Sequence, residues 1–314
     1  MEFRSIVPIS KNMNPIDYHS KIFFIGSCFA ENIASKFDYY KFDILCNPFG
    51  IIFNSKSIVK IITRIVNLEY FDDADIFTNN GLWHCFEVHS VVSKKNKITY
   101  LEYLNDQLNA ANQYLKNASN FIITLGTSWV YELKDSKKVV ANCHKMPQSM
   151  FSKTLLTAES NAEALHNIII LIQKFNPKIT TTITISPVRH FKDGFFENNV
   201  SKSNLFSAIY NIVKNSSVTY FPSYEILMDE LRDYRFYSSD HLHPSEIAIE
   251  YIWERFKETQ ISEKVFSTIN DILNIQKMLA HRHFNNQSVD FHKFKYKIDE
   301  KISKIREVYP NLKF

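Results

Sequence analysis

Glycine is scarce in this chain of 314 residues, which has only five. A sequence so sparing of glycine keeps it where a side chain would clash, in a tight turn or beside a ligand. Three of the glycines directly follow strand-like runs, "KIFFIG", "FDILCNPFG" and "FIITLG". The sequence therefore predicts a site assembled from strand ends near Gly26, Gly50 and Gly126.

Paired cysteines, long apolar runs and clustered charge are also missing, and each absence argues against a class of protein. The four cysteines show no C-x-x-C spacing. No apolar run approaches the roughly 20 residues that span a bilayer, and the N-terminus lacks a secretory signal pattern. The net charge is only +4, and the 37 basic residues are scattered, which argues against nucleic-acid or membrane partners. We expect a cytoplasmic protein with reduced thiols, no metal and no cofactor.

Short apolar runs alternate with amphipathic stretches along most of the chain. The strand-like runs are rich in Ile, Phe and Thr and cover 21–25, 42–46, 121–125, 180–186 and 217–221. The helix-like stretches cover 29–37, 57–66, 101–115, 158–174, 201–213 and 245–256. Strand alternating with helix predicts an α/β fold with a mostly parallel sheet covered on both faces. Ligands of such folds bind beyond the carboxyl ends of the strands.

Three segments depart from this alternation. Residues 70–100 predict a small β element, and residues 129–142 predict a hairpin in which "KDSK" joins "WVYEL" to "KVVAN". The last 55 residues are polar, lysine-rich and helix-like. We expect one domain over 1–259 with small β insertions, followed by a helical C-terminal extension over 260–314.

The stretch "FFIGSCFAENI" runs from a buried strand into a turn that carries two candidate nucleophiles. Ser27 and Cys28 stand side by side after Gly26, where a helix is predicted to begin. A cysteine at a helix N-terminus, within reach of a histidine, is expected to have a lowered pKa and to be nucleophilic. The sequence favours Cys28 as the nucleophile and keeps Ser27 as the alternative. In a third interpretation, Cys28 is only a small buried apolar residue.

A histidine and an acid stand far downstream, in "YSSDHLHPSE". Asp240 precedes His243 by three residues, and Pro244 and Ser245 suit the first positions of a helix. A carboxylate so placed accepts the imidazole N–H, fixes its tautomer and stabilises the imidazolium that forms when the histidine takes a proton. Together with the strand–glycine–nucleophile turn, this pair indicates nucleophilic catalysis.

These blocks resemble the GSCFA-domain proteins, which belong to the SGNH (GDSL-like) hydrolase superfamily. "GSCFAENI" matches the motif that names the family, and the resemblance continues through "NPFGIIFN", "GLWHCFEVHS", "ITLGTSWVYEL", "VVANCHK", "SPVRHFKDGF" and "LRDYRFYSSDHLHPSE". It covers roughly residues 20 to 256. The resemblance implies a flavodoxin-like three-layer αβα sandwich with a five-stranded sheet, and hydrolysis or transfer of acyl groups on oxygen.

The superfamily's first block ends its first strand with Gly-Asp-Ser, in which the serine attacks. When Gly26 is laid on that glycine, Cys28 takes the position of the nucleophile and Glu31 falls where many relatives also carry an acid. A shift of one residue makes Ser27 the nucleophile but displaces the glycine. The resemblance therefore favours Cys28.

The second and third blocks imply the donors of an oxyanion hole. Gly50 is implied to supply a backbone N–H, and the block that begins at Gly126 a second donor. The usual asparagine of that block is missing, since the sequence has Gly-Thr-Ser there, and losing one such donor costs on the order of 3 kcal/mol elsewhere. Ser128 or Asn47 is expected to donate instead.

Two further residues are expected to bind substrate. Arg189, which follows the fourth strand, is expected to hold a carboxylate or phosphate, or alternatively to form an ion pair with Asp193. His144, beside Cys143, is expected to line the pocket, since no second ligand pair at metal spacing accompanies it. Four other histidines are expected to be structural or solvent-facing: His84, His89, His190 and His241.

Two classes of function remain open. The first is an acyl-ester hydrolase or O-acyltransferase that acts on an acylated small molecule or glycan, with acyl-CoA as one candidate donor. In it Cys28 or Ser27 attacks the carbonyl, His243 relays the proton and Asp240 orients His243. The second is a non-catalytic module that binds a glycan or acyl ligand on a hydrolase-like fold, which the missing asparagine favours. The oligomeric state is left open.

Overall fold

A five-stranded parallel sheet forms the centre of the computed structural model, which describes residues 4–281 and 289–314. Its strands are β1 (Lys21–Gly26), β2 (Asp43–Cys46), β5 (Asn120–Leu125), β9 (Thr180–Ile185) and β10 (Thr219–Phe221). They lie in the order β10-β9-β5-β1-β2. This is the 2-1-3-4-5 order of flavodoxin-like folds, so the predicted fold class is confirmed.

Helices cover both faces of the sheet and bury two separate cores. One core contains α2 (Ser55–Asn67), α3 (Lys97–Asn117), α4 (Ala158–Phe175) and α5 (Phe195–Asn215). The other contains α1 (Cys28–Tyr39), α7 (Glu246–Gln260), α8 (Phe266–Ala280) and α9 (Val289–Val308). A short α6 (Ser223–Glu225) leads into a π-helical turn at Ile226–Leu231. The six predicted helices are therefore present, as α1, α2, α3, α4, α5 and α7.

Strand β1 contributes to both cores because its side chains alternate between the two faces of the sheet. Phe23 and Ile25 belong to the core with α2 to α5. Ile22 and Phe24 belong to the core with α1 and α7. All four are fully or almost fully buried, which explains the continuous apolar run in the sequence.

Small β insertions interrupt the alternation, as predicted. Strands β3 (Ile76–Asn79) and β4 (Leu82–Cys85) form one antiparallel hairpin, and β6 (Trp129–Leu133) and β7 (Val139–Val140) form another. The prediction missed β8 (Phe151–Leu155), which pairs with the other edge of β6. Only its first residue is buried, so the sequence offers no apolar alternation by which to recognise it.

The C-terminal extension is helical, as predicted, and packs on the outer face of α1 and α7. Ile269, Ile272 and Ile275 of α8 enter the same core as Trp253 of α7. The side chain of Gln276 donates to the backbone carbonyl of Tyr39 at 3.0 Å. In the part of the chain that the structure describes, no helix has the length and apolar character needed to cross a membrane. A domain boundary at residue 259 stays a prediction.

Candidate active site

Most of the candidate residues lie along the carboxyl edge of the sheet. Gly26 at the end of β1 pairs with Thr124 of β5, and the Ser27 N–H donates to the Thr124 carbonyl at 3.1 Å. The loop before α7 joins the same edge, because the Arg189 N–H after β9 donates to the Leu242 carbonyl at 3.1 Å. The ends of three neighbouring strands and the loop before α7 therefore meet at one edge, which is where α/β folds bind ligands.

Gly26 permits the sharp turn from β1 into α1. Its φ is +147°, and a Cβ there would stand 2.2 Å from the Thr124 carbonyl oxygen, so only glycine fits. The next residue, Ser27, is the N-cap of α1, and its side chain accepts the Phe29 N–H at 3.3 Å. Ser27 is 5% exposed, whereas Cys28 is only partly buried. The turn thus uses Ser27 as a cap and presents Cys28.

The Cys28 thiol is not activated by its surroundings alone. Burial raises its pKa above the ordinary value, and the nearby Glu31 carboxylate raises it further. The backbone N–H groups of Phe29 and Cys28, together with the Lys202 ammonium, act in the opposite direction and do not compensate. The lowered pKa expected from the sequence is therefore wrong, because burial outweighs the helix N-terminus. At neutral pH the thiol keeps its proton and needs a base.

Asp240 and His243 form the expected carboxylate–imidazole pair. His243 Nδ1 lies 2.6 Å from Asp240 Oδ2, and Asp240 Oδ1 accepts the N–H groups of Leu242 and His243 at 2.9 and 3.0 Å. These backbone and side-chain bonds to His243 lower the pKa of Asp240 to about 2. Since Nδ1 faces the carboxylate, Nε2 is the nitrogen left to take a proton. Within 4–281 and 289–314, no hydrogen bond joins His243 to Ser27 or Cys28.

Lys202 of α5 is a buried cation at this edge that the sequence analysis did not single out. It is 2% exposed, and its ammonium donates to the carbonyls of Gly126 at 2.7 Å and Ser186 at 2.9 Å. These bonds tie together the ends of β5 and β9. Burial lowers its pKa to about 7, while the nearby Cys28 acts in the opposite direction. Lys202 lies three residues before Leu205, on the same buried stripe of α5 as the later apolar residues. This helical spacing is the signal in the sequence that could have identified Lys202 as buried.

His190 links Lys202 to the histidine–acid pair. Burial, together with the charges of Lys202 and His243, lowers the pKa of His190 to about 3. Its ring stacks on Phe53, with centroids 6.0 Å apart. Cys28 and His243 thus both lie within electrostatic range of the Lys202–His190 pair. His190 is neutral and partly buried, so it belongs to the wall of the site and does not face open solvent.

The two expected backbone donors are hydrogen-bonded within the protein. The Gly50 N–H donates to the Asn47 carbonyl at 2.8 Å, and the Gly126 N–H donates to the Phe53 carbonyl at 2.8 Å. A Cβ on Gly126 would lie 3.0 Å from the Phe53 Cβ, so this glycine permits close packing. Either N–H would have to leave its present acceptor to reach an oxyanion.

The two side chains expected to replace the missing asparagine are also engaged. Ser128 is fully buried, and its hydroxyl donates to the Ser201 carbonyl at 2.7 Å, so it is not available as a donor. Asn47 accepts the Gly26 N–H at 2.9 Å and donates to Glu31 at 3.2 Å. Asn47 therefore acts as a clamp between the end of β1 and the first turn of α1.

His89 is a candidate oxyanion donor, although the sequence predicts it to be structural or solvent-facing. Its N–H donates to the Phe49 carbonyl at 3.0 Å, and a Cβ on Gly50 would stand 2.5 Å from the His89 Cβ. Its Nδ1 accepts the Val91 N–H at 3.3 Å, which leaves the proton on Nε2. Burial lowers the pKa of His89, although the nearby Glu31 opposes this. A neutral imidazole with a donating Nε2–H thus stands beside Gly50.

Arg189 and His144 lie in different environments. The Arg189 guanidinium lies 4.2 Å from the centroid of the Phe191 ring, and Asp193, its alternative partner, forms an ion pair with Lys153 instead. His144 is 3% exposed, and its Nε2 lies 2.7 Å from the Cys85 carbonyl oxygen. The prediction that His144 lines the pocket is not supported, because its ring is enclosed by side chains of the β insertion: Phe77, His84 and Phe86.

Other parts of the described chain offer no competing chemistry. Among residues 4–281 and 289–314, no group of three or more His, Cys, Asp and Glu side chains could hold a metal ion. A groove of about 710 Å³ is lined by α4 and α5, including Gln173 and Asn215 near their carboxyl ends. These helix ends lead into strand starts, so this groove lies at the opposite edge of the sheet, and none of the candidate residues lines it.

The fold and the site define a flavodoxin-like α/β protein with a Gly-Ser-Cys turn and a histidine–acid pair at one sheet edge. The chain belongs to the GSCFA family. That family's model matches residues 21–256, and the model described as "GSCFA domain protein, C-terminal domain" matches residues 272–314. No curated protein sequence matches the chain at a significant level.

Solved structures similar to this chain include three carbohydrate esterases. A family 3 enzyme from Talaromyces cellulolyticus is 8% identical, over 80% of this chain and 99% of that one, with a TM-score of 0.36. The acetyl xylan esterase Est2A from Butyrivibrio proteoclasticus is 10% identical over 77% and 65%, with a TM-score of 0.40. A family two enzyme from Clostridium thermocellum, in complex with cellohexaose, is 10% identical over 82% and 66%, with a TM-score of 0.37. At these identities and TM-scores, the similarities carry no argument about activity.

Proposed function

We propose that this protein is an esterase that removes an O-linked acyl group from an acylated small molecule or glycan, with Cys28 as its nucleophile. The observation that carries the proposal is the placement of a partly exposed thiol at the start of α1, at the sheet edge that also holds the Asp240–His243 pair. A nucleophile, a base and an acid that orients the base form the arrangement used for acyl transfer on many folds.

In the first half of the reaction, the Cys28 sulfur attacks the ester carbonyl while His243 Nε2 takes the thiol proton. The base is needed because burial raises the pKa of Cys28. The new C–S bond pushes the carbonyl electron pair onto oxygen, and collapse expels the alcohol, which receives its proton from the His243 imidazolium. Asp240 stabilises that imidazolium through the 2.6 Å contact with Nδ1.

In the second half, water attacks the thioester. His243 takes a proton from the water, the carbonyl re-forms as the C–S bond breaks, and the imidazolium returns its proton to the Cys28 sulfur as the carboxylic acid leaves. If the hydroxyl of a second substrate takes the place of water, the same intermediate gives O-acyl transfer. Acyl-CoA as the donor of that transfer stays a prediction from the sequence.

The oxyanion is assigned to a backbone N–H at the start of α1 and to the side chain of His89. The first N–H groups of a helix have no acceptor within the helix. The Phe29 N–H donates to the Ser27 side chain, which leaves the Cys28 N–H, a donor that favours negative charge beside it. The Nε2–H of His89, beside Gly50, is the best placed substitute for the missing asparagine. Helix N-termini and such donors are effective where the transition state develops negative charge.

The test compares Cys28→Ala with Ser27→Ala on nitrophenyl acetate and on acetylated xylo-oligosaccharides. We expect Cys28→Ala to lower kcat on the order of 10³-fold or more without lowering stability. Ser27→Ala is the matched control, since loss of the cap costs about 1 kcal/mol of stability while turnover is kept. We also expect iodoacetamide to label Cys28, substrate to block the labelling, and His243→Ala to slow it. These results would indicate that Cys28 and His243 act together. Loss of turnover in Ser27→Ala alone would assign the attack to Ser27.

The second candidate is a binding module without turnover. It is favoured by the internal acceptors of the Gly50 and Gly126 N–H groups, which leave the usual oxyanion donors engaged. If the unmodified protein cleaves neither ester substrate and consumes no acetyl-CoA with sugar acceptors, this candidate replaces the enzyme.

A further inference from the structure

Buried polar atoms without a partner concentrate around the loop that follows β9. In the described part of the chain, eleven buried side-chain nitrogen or oxygen atoms have no hydrogen-bond partner. Four of them belong to residues that lie close together in the sequence, Ser186, Arg189, His190 and Asn198. Buried polar groups in proteins nearly always pair with protein, water or a ligand. This clustering therefore points to a bound group that completes the loop.

The unpaired atoms are suited to donate. Asn198 is 1% exposed, and its amide is oriented because Oδ1 accepts the His190 N–H at 2.8 Å. Its Nδ2 makes no hydrogen bond of good geometry, and the Tyr224 hydroxyl oxygen is the acceptor that lies near it. Arg189 Nε can only donate, and the Ser186 hydroxyl and the neutral His190 ring can also donate. A ligand rich in acceptor oxygens fits such a cluster.

Arg189 also has no counterion, in contrast to the other partly buried arginines that bridge elements. Arg64 pairs with Glu87 at 2.5 Å, and Arg255 lies 3.4 Å from Glu230. Among the residues described, no carboxylate lies within 4.0 Å of the Arg189 guanidinium. A partly buried guanidinium without an anion is unfavourable, so a ligand anion would supply the missing partner.

The acid nearest in sequence is already engaged. Asp193, four residues after Arg189, forms an ion pair with Lys153. Lys202 adds a second positive charge, since its ammonium is bonded to the Ser186 carbonyl at 2.9 Å. The Lys153–Asp193 pair is neutral as a unit, so Asp193 does not compensate the charge of Arg189.

Aromatic rings hold the guanidinium in place. Arg189 lies over Phe191, and Phe191 stacks on Phe195 with centroids 4.0 Å apart. On the other side, burial raises the pKa of Tyr237 and the nearby guanidinium partly offsets the rise. A stacked guanidinium presents its N–H groups in a fixed plane that matches a carboxylate or phosphate. Phe195 is 65% exposed and offers a ring face on which a sugar can stack.

The loop is also tied to the catalytic pair. The Arg189 N–H donates to the carbonyl of Leu242 at 3.1 Å, and Leu242 is directly followed by His243. An anion held by Arg189 would therefore lie beside the imidazole that we assign as the base.

We propose that the loop after β9 binds an anionic group of the substrate through Arg189, so that the ester cleaved at Cys28 belongs to an acidic sugar, which carries a carboxylate or a phosphate. The assignment of the ester to Cys28 rests on the proposed function. The assignment of the anion to Arg189 does not, because it depends on the loop alone.

The test measures binding to the Cys28→Ala protein by isothermal titration calorimetry, with glucuronate, glucose 6-phosphate and glucose as probes. We expect one of the two anionic sugars to bind at least tenfold more tightly than glucose, and the better of the two identifies the group. Arg189→Gln should remove that preference, and Arg189→Lys should restore part of it as a single point charge. The matched control is Arg235→Gln, which removes an arginine whose side chain is 76% exposed and which lies near Asp233.

Two results would overturn the proposal. One is equal affinity for glucose and both anionic sugars in the protein with Arg189 intact, a result that needs no substitution to fold. The other is an equal loss of anion affinity in Arg189→Gln and Arg235→Gln, which would reflect net charge only. If the protein binds the anion but cleaves no ester, the assignment of the anion to Arg189 holds and the esterase proposal fails. If the protein cleaves an ester but has no preference for an anionic sugar, the esterase proposal holds and the assignment to Arg189 fails.

Discussion

Gly26 determines the geometry of the nucleophile turn through the side chain that it lacks. Its positive φ and its approach to the Thr124 carbonyl are separate constraints, and both apply at the residue where β1 ends. Ser27 then caps α1, which leaves Cys28 as the first residue of the helix. The order Gly-Ser-Cys thus assigns a different physical task to each residue.

Gly26→Ala is expected to destabilise the protein by about 3 kcal/mol or more, because strain at positive φ adds to a clash with backbone. Gly81→Ala is the matched control, since Gly81 has φ +73° and nothing within 4 Å of an added Cβ. Its cost should be only the strain of about 1 kcal/mol. Urea unfolding measures both, and equal losses would contradict the role of the close approach to Thr124.

The sequence identifies these residues but not their electrostatics. The order of Gly26, Ser27 and Cys28 after an apolar run is visible, and so is the spacing of Asp240 and His243. The rise in the pKa of Cys28 depends on burial by distant elements, and the engaged N–H of Gly50 depends on the turn that follows β2. Neither follows from local pattern, because both are set by tertiary packing.

At the scale of elements, α5 does more than cover the sheet. Lys202 extends from its buried face to the carbonyl ends of β5 and β9 and bonds to both. The helix thereby links two strand ends, and it brings the Lys202 side chain near Cys28. The periodicity of residues 201–213 predicted the helix, whereas the contact with strand ends could not be seen without the packed structure.

Lys202→Met tests the charge through the pH dependence of stability. The folded pKa of Lys202 is lowered to about 7 from 10.5, so between these values the unfolded chain binds the extra proton and the stability contributed by Lys202 rises with pH. The difference in the free energy of unfolding between the unmodified protein and Lys202→Met should therefore shift in favour of the unmodified protein by up to about 1.4 kcal/mol for each pH unit over this range. Lost hydrogen bonds do not vary with pH and cancel in the comparison. Parallel curves from urea unfolding between pH 6 and 10 would contradict the shift.

Elements with strong periodicity were predictable, and those held mainly by pairing were not. The runs that became β1 and β5 are mostly apolar, the β9 run is rich in β-branched Thr and Ile, and the helices have apolar stripes, so local pattern and tertiary role agree. Strand β8 has a single buried residue and depends on its partner β6. His144 was read as a pocket residue from its neighbours in the sequence, but the insertion encloses it.

At the scale of the whole molecule, the C-terminal helices complete the second core. The helices α1 and α7 carry the proposed nucleophile, Cys28, and the Asp240–His243 loop at their N-termini, and α8 packs on them with Ile269, Ile272 and Ile275. The extension thus contributes to the layer on which the site is mounted, although it supplies none of the candidate residues.

Ile272→Ala is expected to destabilise the protein by about 2 to 5 kcal/mol, because Ile272 is fully buried in α8 and truncation leaves a cavity. Leu279→Ala in the same helix is the control, since Leu279 is 49% exposed and should change stability by less than about 0.5 kcal/mol. Calorimetric unfolding of Ile272→Ala should show one transition shifted as a whole. Two transitions, with only one of them shifted, would support an independent domain beyond residue 259.

Strand β1 is shared between the two cores, and this has a consequence for how the protein can diversify. Any change that moves the reactive turn must disturb packing on both faces of the sheet at once, since Phe23 and Phe24 point into opposite cores. Phe195, the first residue of α5 after the loop that follows β9, is under no such constraint, because it is 65% exposed. We therefore expect substitutions that change ligand preference to be tolerated near Phe195 more readily than at the turn after β1.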